Sequence, residues 1–161
     1  MTVYEADWIC PVSSAPVRNG RVAVENGKLV PLIDKEARVV RFPGCVIIPG
    51  FVNAHSHLEL TILRGFLDDL PFSEWIPRLT FAKYEVLSRG DLLLSAQVGA
   101  VEMIRAGVTC LGEVMDLGTA WEAMREFGLR CRVPGGFRPR RGSGRRGTRR
   151  IEEEGRRSSK N

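Results

Sequence analysis

Between residues 51 and 133 short apolar runs alternate with helical stretches, and that alternation leaves few folds open to the chain. Phe51 to His57 reads as a strand. Ser73 stands where it would cap a helix over residues 74–87. Ser88-Arg89-Gly90-Asp91 has the form of a capping box, in which the serine and the acid three residues on each satisfy an exposed N–H. The helix it opens carries Leu92, Leu93, Ala96, Ala100, Met103 and Ile104 at near-helical spacing and stops at Gly107. Val108 to Val114 is the next strand. Thr119-Ala120-Trp121-Glu122 reads as another capping box, with its helix ending before Gly128, and Leu129 to Val133 as a third strand. Strands joined through helices lie parallel with right-handed crossovers, and chemistry in such folds gathers at the carboxyl ends of the strands.

The first of those strand ends carries His55-Ser56-His57. These are the two histidines of the chain. Residues i and i+2 of a strand point to the same face, so both imidazoles are expected to project together, as a pair of nitrogen ligands for one metal ion would. Glu113 and Asp116 lie at the end of the second strand. Glu59 and Glu113 either approach a metal or pair with nearby bases.

The preceding residues, 1 to 48, read as short strands. Thr2 to Cys10 ends at Pro11. Arg21 to Glu25 alternates, Asn26-Gly27 supplies a tight hairpin turn, and Lys28 to Ile33 returns as its partner. Arg38 to Phe42 and Cys45 to Ile48 follow, separated by Pro43-Gly44.

At Pro49-Gly50-Phe51-Val52-Asn53-Ala54-His55-Ser56-His57-Leu58 the sequence resembles the amidohydrolase superfamily. Within it, the chain is similar to the branch of aminohydrolases and chlorohydrolases that includes cytosine, guanine and adenosine-derivative deaminases. Leu63-Arg64-Gly65, Asp69-Leu70-Pro71-Phe72 with Trp75, and Arg105-Ala106-Gly107-Val108-Thr109 extend the likeness, which covers roughly residues 3 to 131. The resemblance implies an α/β fold: a small N-terminal β-sandwich over residues 1–48 and the first part of a (β/α)8 TIM-type barrel over residues 49–133. It implies His55 and His57 as metal ligands, zinc or iron as the metal, and hydrolysis of a carbon–nitrogen bond of an aminated heterocycle or cyclic amidine, or of a chlorinated ring. Trp75, on the segment after the first strand, either borders the substrate or packs in the core. Arg64 either holds a polar substrate group or braces its loop.

A complete barrel needs about 250 residues, so the expectation is a barrel truncated after about two βα units and inactive by itself. Beyond Val133 periodicity ends. Residues 132 to 161 hold eleven basic residues against three acidic ones, whereas the first 131 hold thirteen against sixteen. Residues 134–161 are therefore expected to be a disordered basic tail, of the kind a shifted reading frame in a GC-rich gene would leave. The alternative is a non-catalytic module whose arginine-rich tail contacts nucleic acid; the tail lacks the interleaved aromatics that base stacking needs. No stretch approaches the ~20 apolar residues of a membrane span. With no secretory leader and four widely spaced cysteines, a cytoplasmic protein is expected.

Overall fold

In a computed structural model of the chain the described residues are 1–33 and 36–132. The expectations for Val133 and for residues 134–161 lie outside them. Among the described residues no helix is long and apolar enough to cross a membrane.

The N-terminal residues form one four-stranded sheet of β1 (Thr2–Ile9), β2 (Val17–Glu25), β3 (Lys28–Val30) and β4 (Arg38–Ile47), in the order β3-β2-β1-β4. The hairpin between β2 and β3 turns at Asn26 and Gly27, whose φ angles of 52° and 73° suit the turn that the pair predicts. Two differences from the sequence reading stand out. Pro43-Gly44 does not separate two strands: β4 runs straight through it, with a bulge opposite Asp7, and the Gly44 N–H donates to Asp7 Oδ2 (3.1 Å). The sheet is also a single layer among the described residues rather than a two-layered sandwich. The reason is that β4 lies parallel along the free edge of β1 instead of folding over it. Trp8, Val39, Phe42 and Val46 consequently remain exposed.

The second sheet is parallel, in the order β5 (Phe51–Ser56), β6 (Val108–Glu113), β7 (Arg130–Arg132). A 3-10 helix (Leu58–Leu63), α1 (Phe72–Phe81), a π-turn (Ala82–Val86) and α2 (Arg89–Arg105) connect β5 to β6, and α3 (Thr119–Glu126) connects β6 to β7. The core is built largely of small side chains, so the helices approach the sheet closely. Ala96 and Ala100 of α2, Ala120, Ala123 and Met124 of α3, and Leu58, Leu111 and Met115 are all buried together.

The capping box at α2 is present, with Ser88 and Asp91 bonded reciprocally. The one expected at Thr119 is not. Gly118 precedes α3, and the Thr119 hydroxyl donates instead to Glu59 Oε1 (2.8 Å), a buried carboxylate that outcompetes a local cap. Ser73 does not cap α1 either. The Pro71 carbonyl accepts from both Glu74 and Trp75 N–H (2.9 Å each), so the helix begins before the serine. The expected continuous helix to Leu87 is broken into α1 and the π-turn, where Leu87 N–H reaches back to Ala82 O (2.9 Å).

Gly112 sits where β6 passes the backbone of β5: a β-carbon there would collide with the Ala54 carbonyl. Backbone cannot yield as a side-chain tip can. Gly112→Ala is therefore expected to lower stability by about 1–3 kcal/mol or more, read as the urea midpoint of the full chain.

Candidate metal and substrate site

His55 and His57 stand at the carboxyl end of β5, and the structure brings their rings together. Their Nε2 atoms are 3.1 Å apart and the ring centroids 4.9 Å apart. The main chain of His55 and the ring of His57 are each held by a hydrogen bond. Asn53 Oδ1 accepts from the His55 N–H (3.2 Å), while its amide group lies 3.6 Å from Met103 Sδ. His57 Nδ1 is 3.1 Å from the Val114 carbonyl oxygen. A carbonyl only accepts, so Nδ1 of His57 carries a proton and its Nε2 presents a lone pair when the ring is neutral. This is the carbonyl-oriented imidazole found behind metal ligands. Two imidazole nitrogens bound to one tetrahedral zinc at ~2.0–2.1 Å stand about 3.3 Å apart, close to the spacing seen. The pair therefore fits two ligand positions of such an ion. Among the described residues no group of three His, Cys, Asp or Glu side chains converges on one point.

Between the histidines, Ser56 points the other way, into the protein, where its hydroxyl donates to Glu113 Oε2. Glu113 Oε1 accepts from the Leu58 N–H (2.8 Å). The Glu113 side chain is fully buried, and burial pushes its carboxyl above the ordinary value against the pull of those two donors.

Glu59 is the second buried carboxylate. Its Oε1 takes the Thr119 hydroxyl and the Ala120 N–H (3.4 Å), so it closes the N-terminus of α3 from 60 residues away in sequence. Its Oε2 lies 3.0 Å from Lys83 Nζ. That lysine is nearly buried and also donates to Asp116 Oδ1 (2.6 Å), while Tyr84 OH donates to Asp116 Oδ2. Burial alone would lower the Lys83 ammonium; its two carboxylate partners outweigh that and raise it. Burial likewise works to raise Asp116, and the Lys83 and Tyr84 hydrogen bonds bring it below the ordinary range.

These groups border a cleft of about 250 Å³ that includes His57, Leu60, Leu79, Lys83, Tyr84 and Asp116. Trp75 and Arg64 are not part of its wall. Trp75 stacks on Phe72, with centroids 6.0 Å apart. Arg64 forms a bidentate pair with Glu102 of α2 (3.0 and 2.6 Å), which braces the loop. Sequence reasoning missed Lys83 and Tyr84, because the π-turn that aims them leaves no spacing signature. Of the two acids expected to approach a metal or pair with bases, Glu59 pairs with Lys83, whereas Glu113 meets the Ser56 hydroxyl and the Leu58 N–H instead.

Residues 46–155, more than half of the chain, match the model of the amidohydrolase family. The chain belongs to the amidohydrolase family. It is 36% identical over 122 residues to a 5-methylthioadenosine/S-adenosylhomocysteine deaminase of Halobacterium salinarum, covering 73% of this chain and 28% of that protein. It is 30% identical over 126 residues to a 5′-deoxyadenosine deaminase of Methanococcoides burtonii, covering 75% and 29%. The chain thus spans less than a third of the length of these curated relatives. Among solved structures, an adenosine deaminase from Xanthomonas campestris with bound zinc superposes with a TM-score of 0.66 at 26% identity, covering 81% of this chain and 32% of that one. An atrazine chlorohydrolase from Arthrobacter aurescens complexed with zinc gives 0.68 at 17% identity, over 81% and 34%, and shows the shared fold.

Two outcomes follow from the buried charges of this amidohydrolase. Lys83→Met strands Glu59 in the interior and is expected to cost about 3–5 kcal/mol, with Glu59→Gln in the same chain restoring part of the loss; paired urea titrations measure both. Glu113, raised in the folded state, binds its proton more tightly there than when unfolded. Its contribution is full below its ordinary value of 4.5 and is lost as pH rises through the higher folded value. Unfolding free energies across that window should fall with pH in the native chain, and Glu113→Gln should flatten that slope.

Proposed function

We propose that this chain supplies the metal-binding first strand and the opening βα units of a hydrolytic deaminase barrel. Residues 1–48 form an accessory β module and residues from 49 onward the catalytic one. The observation that carries this reading is the convergence of two strand-borne imidazole nitrogens to 3.1 Å, one of them oriented by a main-chain carbonyl. His55 and His57 hold a divalent ion; zinc is favoured by the solved neighbours that bind it. Such an ion activates water for attack on a ring carbon and loss of ammonia. Two nitrogens alone leave an ion under-coordinated, so this reading requires further donors, and no third His, Cys, Asp or Glu side chain joins the pair among the described residues.

An adenosine-like ring is the substrate class that the named relatives favour. The cleft beside His57 offers such a ring the apolar Leu60 and Leu79 and the polar groups of Tyr84 and Asp116. Asp116, kept ionised by Lys83 and Tyr84, is suited to accept hydrogen bonds from substrate hydroxyl or amino groups. We assign Arg64 the bracing role its pairing with Glu102 gives it, and Trp75 a packing role against Phe72.

Equilibrium dialysis with zinc tests the assignment. The native chain should bind weakly, and His55→Ala and His57→Ala should each reduce that binding at least tenfold, an order of magnitude being about 1.4 kcal/mol. Binding unchanged in both variants would overturn the site. The zinc-loaded chain by itself is expected to release no ammonia from 5′-deoxyadenosine; release would show that its own donors suffice, leaving the family unaffected.

A further inference from the structure

α2 is apolar on two opposite faces. Its inner face, with Leu92, Ala96 and Ala100, is buried beneath the helix. At about 100° per residue, the pole opposite that face falls on Leu94, Val98 and Val101. These side chains are 57%, 46% and 39% exposed. A second apolar stripe on the water-facing side of a helix marks a surface for another apolar surface to cover. The Leu58–Leu63 helix and α3 already pack on α2.

The charges bounding the stripe indicate what covers it. Asp91 lies one turn before Leu94, and Arg105 one turn after Val101. Arg105 makes no ion pair among the described residues. The order acid, Leu, Val, Val, base is self-complementary about a two-fold axis. Two such helices laid antiparallel bring Asp91 of each opposite the partner's Arg105, some 21 Å along the helix. Antiparallel helix dipoles add to the attraction. A groove of about 540 Å³ between α2 and α3, lined by Val98, Val101 and Phe127, gives the incoming side chains somewhere to go.

We propose that the outer face of α2 is a homodimer interface, in which a second copy of this chain packs its own α2 antiparallel along Leu94, Val98 and Val101 with reciprocal Asp91–Arg105 ion pairs. The contact is independent of the histidine pair and of any bound metal. Its modest area makes it an interface of the weaker class, and its end pairs make it sensitive to salt.

Sedimentation velocity on the full 161-residue chain, up to roughly 100 μM, where even a weak interface associates, tests it. A monomer–dimer equilibrium is expected. Val98→Lys should shift it at least tenfold toward monomer with the circular dichroism spectrum unchanged, and Arg105→Asp, which sets two carboxylates opposite each other, should weaken it and reverse its salt dependence. Leu94→Ser, which adds no charge and leaves the inner face intact, provides the same reading should Val98→Lys perturb the fold. A native chain that stays monomeric throughout would overturn the proposal. So would a dimer indifferent to Val98→Lys and Leu94→Ser, or open-ended association indifferent to both, which would place the contact at the exposed edge of β5.

Discussion

Glu113 ends β6 with its carboxylate sealed from water, and two donors from the end of the neighbouring strand, the Ser56 hydroxyl and the Leu58 amide, turn toward it. An unpaired carboxylate at that depth would be prohibitive, so its two oxygens dictate where the end of β5 must lie. Ser56 is drawn inward, and strand alternation then sends its neighbours His55 and His57 outward together. The Leu58 amide, drawn to the same group, starts the 3-10 helix. The histidine geometry is in this sense a by-product of satisfying one buried acid on the adjacent strand.

A second buried acid does comparable work one layer out. Glu59 gathers the first residues of α3 on one oxygen and Lys83 of the π-turn on the other. Lys83 in turn reaches Asp116, which follows β6. Three segments far apart in the chain are thereby tied around the mouth of one cleft. The arrangement trades stability for placement: a buried ion pair contributes little net energy, yet it fixes where its members sit.

Much of this fold was readable in the sequence, for local reasons. The Asn26-Gly27 turn, the Ser88–Asp91 cap and the alternation of apolar strands with helices are short-range patterns, and each stands where the spacing put it. The misreadings have one physical cause. Thr119 and Ser73 look like caps because caps are recognised from four neighbouring residues, but the Thr119 hydroxyl is claimed by Glu59, and Pro71 provides α1 with an earlier start. Pro43-Gly44 looks like a break because a proline usually ends a strand, but among the described residues β4 borders only β1, and a bulge there absorbs the irregularity. The histidine pair was legible because a two-residue period needs no tertiary information. Lys83 was not, because nothing in its neighbours announces a five-residue backbone bond.

The contact between His57 Nδ1 and Val114 is made to main chain. A side-chain partner in that position could be lost by a single codon change, whereas the carbonyl persists whichever residue occupies position 114. Drift at that site is therefore free to alter the surface of the cleft while the tautomer of the imidazole stays the same. The orientation of the ring is inherited with the path of β6, so it changes only when the strand itself moves.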